Sequence, residues 1–234
     1  MLNKNLNKRK LKFEFLKNGF VIIDDFFLSE YADKIYHFFN YEMPKEWWSV
    51  STRPASNGEN RMDNCYYTDD NFSFIQEKEK IAREAFLNSQ FSYIFRRTLD
   101  DHVEGCECVE CQLRKCLATT EIHQFISDLT GINVNHSSEL FASWYTEGDF
   151  LSTHSDGDNG QIGFVYNISK DWQPEWGGLL HFLENNSNNI DRVISPRYNA
   201  LVLFDLSITS GTNHFVSHVN VNHSKRLSFT GWFK

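Results

Sequence analysis

From about residue 137 onward the chain is a succession of short strand-forming runs: 140–145, 162–168, 179–183, 192–194, 200–206, 214–221 and 226–233. Turn signals separate most of them, notably Asn159-Gly160, the 185–189 asparagine tract and Ser210-Gly211. Evenly spaced short strands that each bury one face need a second sheet to pack against, so the pattern predicts a sandwich or jelly roll. The first half reads differently. Residues 20–24 form a short apolar run after Asn18-Gly19, and Tyr31, Ile35, Phe38 and Phe39 recur at helical spacing behind Ser29. Helical periodicity returns at 75–99 and at 119–129, which ends at Gly131. The expected fold is mainly β with flanking α: a double-stranded β-helix core (cupin-like) with N-terminal helices. We expect one domain over 1–234, with 1–135 as a helical and lid support region and 136–234 as the β-helix core.

Bulk properties remove several functions. The formal net charge of −8 argues against a dominant grip on nucleic-acid phosphates. No apolar run reaches the roughly 18 residues that span a bilayer. The Lys/Asn-rich segment 1–12 lacks the apolar core of a secretory signal and reads as a solvated, frayed end. Cytoplasmic location is the resulting expectation. The polar, aromatic stretch 44–74, with Trp47, Trp48, Arg53, Arg61, Tyr66 and Tyr67, is long enough to read as a lid.

His154-Ser-Asp156 lies inside the β-rich half. On extended backbone, residues two apart face the same side, so the imidazole and the carboxylate can converge on one ion. A second imidazole would complete the two-His-one-carboxylate triad of non-haem Fe(II) oxygenases. His214 and His218 both qualify by face, yet at strand rise they stand about 13 Å apart and cannot share the ion. Spacing leaves that choice open. Downstream, Arg226 and Ser228 share a strand face and present a guanidinium beside a hydroxyl, an arrangement suited to a carboxylate.

Six stretches in the last hundred residues together resemble the prolyl-4-hydroxylase-like branch of the 2-oxoglutarate/Fe(II) dioxygenases. They are Trp144-Tyr145, residues 151–156, 166–178, 196–205, 214–219 and 226–232. The resemblance selects His214 over His218, because the family's distal ligand opens a segment of this form. It implies His154, Asp156 and His214 as ligands of Fe(II), Arg226 and Ser228 as the seat of 2-oxoglutarate, and Tyr145 and Tyr166 as further contacts to it. The implied reaction consumes O2, decarboxylates 2-oxoglutarate to succinate, and hydroxylates a C–H bond of a prolyl residue, free amino acid or small metabolite. The implied partner is thus a small molecule, protein or peptide. A non-catalytic β-sandwich binding module is the alternative from another class, and a nucleic-acid demethylase fits the acidic charge less well.

Five cysteines are unevenly placed, with Cys65 alone and Cys106, Cys108, Cys111 and Cys116 crowded together. That odd, tight pattern does not resemble a secreted disulfide framework. With His102 the cluster offers a Cys3His set of zinc-ligand type, Cys116 being spare; reduced thiols or a redox Cys-x-x-Cys are the other readings.

Overall fold

The computed structural model describes residues 1–55, 57–206 and 213–234; the Ser210-Gly211 turn signal lies outside the described residues. Five α-helices and twelve strands occur among them. The expected curled, antiparallel jelly-roll core is what the chain forms, and its strand pairs are antiparallel.

The N-terminal segment is ordered differently from the expectation of a frayed end. Helix α1 (Lys8–Asn18) starts where the Asn7 side chain accepts from Lys10 N, and it stops at Gly19, whose φ of 63° closes the last turn. Leu11 and Phe15 are its buried side chains. Strand β1 (Phe20–Ile23) and helix α2 (Ser29–His37), extended by a π-turn through Phe38–Glu42, fall where the sequence placed them.

The next hundred residues depart further from expectation. The supposed lid contains β2 (Trp48–Arg53) and β3 (Asp63–Tyr66), which pair as a hairpin. β2 is buried along almost its whole length, so it belongs to the sheet. Helix α3 (Phe72–Leu87) covers only the first part of the 75–99 run. The remainder is β4 (Tyr93–Thr98), a six-residue strand after the bend at residues 88–92. Helices α4 (Val109–Leu117) and α5 (Thr120–Thr130) follow. α5 is capped by the Thr119 hydroxyl and closed at Gly131, the residue at which its sequence pattern ends.

The C-terminal strands are β5 (Ser137–Tyr145), β6 (Phe150–His154), β7 (Ile162–Asn167), β8 (Leu180–Leu183), β9 (Ile190–Ile194), β10 (Ala200–Asp205), β11 (His214–Val216) and β12 (Arg226–Phe233). β11 is shorter than the expected 214–221 run. Its ladder ends at Val216, and Val219 then makes an isolated bridge to Gly177. Neighbour order is β1-β10-β7-β12-β5-β4-β6-β11-β8-β9. β4 is the corner of this curl: Arg96 and Arg97 pair with β5, whereas Tyr93 and Ile94 pair with β6. A strand from the N-terminal half therefore joins the two layers.

Side-chain alternation divides the interior in two. On β12, Leu227, Phe229 and Phe233 enter the core beneath the helices, while Arg226, Ser228, Thr230 and Trp232 face a cavity between the layers. On β10, Leu201 and Leu203 take the helix side, and Val202 and Phe204 the inter-layer side. Burying one aromatic side chain of this kind contributes about 1.5–3 kcal/mol, so this in-out pattern fixes strand register firmly.

Candidate active site

The inter-layer cavity has a volume of about 410 Å³ and is lined by β4, β5, β6, β11 and β12, among others. His154 ends β6 and His214 begins β11, and the two are direct partners across that ladder. Their ring centroids lie 4.2 Å apart. Asp156 reaches them by another route than the one expected. β6 stops at His154, and Asp156 adopts helical backbone (φ −72°, ψ −12°) at the head of the 3-10 turn Gly157–Asn159. The turn, rather than strand alternation, swings the carboxylate toward the imidazoles.

Asp156 Oδ1 is 3.6 Å from His154 Nε2, and Asp156 Oδ2 is 3.8 Å from His214 Nε2. One ligand atom from each residue can be chosen so that all three fall within 4.8 Å of one another. Imidazole and carboxylate bind divalent transition ions at about 2.0–2.2 Å, which sets neighbouring donors at right angles about 3 Å apart. Contraction by about an ångström would thus bring the three around one ion. His154 Nδ1 lies 3.1 Å from the Ser152 carbonyl oxygen; donating there leaves Nε2 free to bind. Burial alone would raise the Asp156 pKa, but the hydrogen bond from His154 and the nearby imidazoles of His214 and His154 hold it below the usual carboxylate value. Phe91 stacks on His154, and Phe182 and Phe204 flank His214, so the donors sit in apolar walls.

Deeper in the same cavity, Arg226 is 3% exposed. Its Nε donates to Gly178 O at 2.7 Å and its NH1 to Ser228 Oγ at 3.3 Å. Ser228 shares a 2.7 Å hydrogen bond with Ser143, its cross-strand partner. The guanidinium lies 4.8 Å from the Tyr145 ring centroid. No carboxylate lies within ion-pair distance of it among the described residues. Burial lowers the Arg226 pKa and Tyr145 opposes this, yet a guanidinium keeps its proton in a protein. Burial likewise pushes the Tyr145 hydroxyl up, with Arg226 opposing, and keeps it a neutral donor. A buried, permanently charged group facing a cavity calls for an anion. Gly178, with φ +64°, makes room for this arginine: a Cβ there would meet Arg226 Cδ at 3.0 Å.

Three comparisons bear on this arrangement. Residues 140–234 match the model of the 2OG-Fe(II) oxygenase superfamily, where 2OG is 2-oxoglutarate. The match spans the strand-rich C-terminal part of the chain, which carries His154, Asp156, His214 and Arg226. The chain is 29% identical over 165 residues to prolyl 3-hydroxylase OGFOD1 of Mus musculus and 29% identical over 118 residues to its Xenopus laevis counterpart. These alignments cover 68% and 48% of this chain but only 30% and 23% of those relatives. In fold it is similar to a 2OG-Fe(II) oxygenase-family oxidoreductase of Burkholderia pseudomallei (TM-score 0.60, 14% identity, 100% of this chain and 92% of that one). It is also similar to a prolyl hydroxylase of Trichoplax adhaerens solved with a hypoxia-inducible-factor peptide (TM-score 0.60, 17% identity, 97% and 88%).

Within this fold the site residues expected from sequence separate into two groups. His154, Asp156, His214, Arg226, Ser228 and Tyr145 all line the one cavity. Tyr166 does not. It sits on β7 one position beyond the cavity-lining Val165, so its ring points into the helix-side core, against Phe26 and Phe27. There its hydroxyl lies 3.0 Å from Asn199 Oδ1, and it is a core tyrosine rather than a 2-oxoglutarate contact. His218 stacks on Phe150 outside the cavity. Sequence reasoning also missed Tyr93, Phe95 and Arg97, which reach the cavity with Phe91 from the edge of β4. Their i, i+2 spacing was the available signal, and reading 75–99 as one helix obscured it. Arg53 and Met62, from the β2–β3 hairpin region, line the cavity too.

Proposed function

We propose that this chain is an Fe(II)- and 2-oxoglutarate-dependent dioxygenase that hydroxylates an unactivated C–H bond, with a prolyl residue of a protein or peptide as substrate. The observation that carries the reading is the pairing, in one cavity, of a two-His-one-carboxylate cluster with a buried arginine that has no carboxylate partner among the described residues. His154, Asp156 and His214 would hold the iron on one face and leave its other positions open. Bound there with 2-oxoglutarate, iron supplies dioxygen activation coupled to decarboxylation to succinate.

The protein's own part is binding, orientation and exclusion of water. Arg226 offers its unused N–H groups to the distal carboxylate of the keto-diacid, with Ser228 alongside. Tyr145 stays protonated and supplies a hydroxyl on the same wall. Phe91, Phe95, Leu180 and Phe204 keep the reacting centre in apolar surroundings. Arg53, Met62, Arg97 and Glu139, from elements outside the metal cluster, complete the lining and are the side chains through which a substrate would be chosen. The choice of a prolyl residue draws its support from the relatives named above; the mixed charged and aromatic lining suits a peptide. Incubation with Fe(II), 2-oxoglutarate and proline-containing peptides should release succinate and add one oxygen to a prolyl residue. Succinate without prolyl modification would move the substrate to a free amino acid or metabolite. Neither succinate nor iron binding would return the chain to the binding-module alternative.

A further inference from the structure

A second cluster lies apart from the cavity, at the start of α4. His102, Cys106 and Cys108 precede the helix, Cys111 sits in its first turn, and their ligand atoms all lie within 4.8 Å of one another. We propose that these four side chains bind one structural Zn(II).

The distances fit that ion. Zinc bonds of about 2.3 Å to sulfur and 2.0–2.1 Å to nitrogen in a tetrahedron place S and N donors about 3.6 Å apart. His102 Nδ1 lies 3.5 Å from Cys106 Sγ and 3.7 Å from Cys108 Sγ. The backbone N–H of Cys111 points at Cys108 Sγ from 3.5 Å, orienting that sulfur from the helix. All four cysteine and histidine donors converge without a disulfide among them.

Glu110 adds an independent argument. It is fully buried, and its Oε2 has no hydrogen-bond partner among the described residues. His102 Nε2 lies 3.4 Å from that oxygen. Metal binding through Nδ1 would fix the proton on Nε2, the nitrogen beside Glu110, and give that buried oxygen a donor. This is the carboxylate–histidine–metal relay that commonly orients a ligating imidazole. The other Glu110 oxygen binds Arg114, which donates to the Leu140 carbonyl on β5 and, at 3.2 Å, to Thr98 Oγ1 on β4. The ion would therefore tie the 102–108 loop to α4, and α4 to the two strands at the corner of the sheet. Cys116 lies in the core cluster under the helices and is not a ligand.

The test uses the full chain with Asp156→Ala, so that zinc has no place in the iron cluster. After dialysis against zinc and then against a weak chelator, elemental analysis should find one zinc per chain. Adding Cys108→Ser or Cys111→Ser should abolish it, Cys116→Ala should leave it, and His102→Cys should retain it as a four-thiolate site. Cobalt in place of zinc should give the intense visible bands of a tetrahedral thiolate complex. Should the serine variants fail to fold, titrating the cysteines of the folded parent with a mercurial, in the presence of a zinc-sensitive dye, should release one equivalent. A parent chain that retains no zinc, or serine variants that hold as much as the parent, would overturn the proposal.

Discussion

Arg226 has the most to lose from a single substitution. Its guanidinium is buried, spends two N–H groups on Gly178 and Ser228, and keeps the rest for the cavity. Charged hydrogen bonds of this kind contribute about 1.5–3 kcal/mol, so Arg226→Ala should weaken 2-oxoglutarate binding roughly 10- to 150-fold by calorimetry. Unchanged affinity would take Arg226 out of that role. The two histidines that sequence spacing could not separate give a second contrast. His214→Ala should remove iron binding, whereas His218→Ala should leave it intact, because His218 packs on Phe150 and Phe86 instead. Tyr166 gives a third. With its hydroxyl bonded to Asn199 in the core, Tyr166→Phe should cost about 1 kcal/mol of stability and leave 2-oxoglutarate affinity alone. A selective loss of affinity would restore it to the site. Tyr145 and Tyr166 looked equivalent in the sequence, and only strand parity, one position either way, separates a cavity wall from a core.

Among the elements, β4 decides how the two layers meet, and its identity was hidden in the sequence. The run from Ile75 to Leu99 is apolar enough at helical spacing to mask a change of period after the bend at 88–92, and short apolar runs do not distinguish strand from helix. Apart from β6, which none of the expected runs covered, the C-terminal strands were legible because turn residues punctuate them and aromatic and β-branched residues fill them. Residues 1–12 misled for a different reason: their cationic surface face conceals Leu11, which packs with Phe15 only once the sheet exists. At the corner itself, Arg96 on β4 is buried and pairs with Asp149, just before β6, and with Glu79 on α3 at 3.2 Å. Arg96→Ala would strand the buried Asp149 carboxylate. The expected cost is about 3–5 kcal/mol in urea unfolding, the scale for breaking one side of a buried pair. A loss below 1 kcal/mol would show that β4 is held by its ladder alone.

For the whole molecule, acid is the informative variable. His123, His181 and His218 are each held below the ordinary histidine pKa by burial, with His136 adding to the effect at His123 and Arg83 at His218. A depressed folded-state pKa means that the unfolded chain binds these protons first. Their contribution to stability is therefore present above about pH 6.5 and lost as pH falls through the folded values. Between pH 7.5 and pH 5.5 these imidazoles act against the buried Asp149 carboxyl, which burial raises to about 6, and His123→Phe should make the change in urea midpoint over that range less destabilising than in the parent chain. The described residues contain no helix long and apolar enough to cross a membrane, and the net charge of the chain is −8.

Anaerobic absorption spectroscopy probes the iron and the keto-diacid together, since the visible charge-transfer band of a chelated 2-oxoglutarate arises only when both share one site. Fe(II) and 2-oxoglutarate added to the native chain should produce that band; Asp156→Ala should abolish it, and Arg226→Ala should shift its appearance to higher 2-oxoglutarate. A native chain that stays colourless under saturating iron and 2-oxoglutarate, or an Asp156→Ala chain that keeps the full band, would show that His154, Asp156 and His214 do not hold the reacting metal.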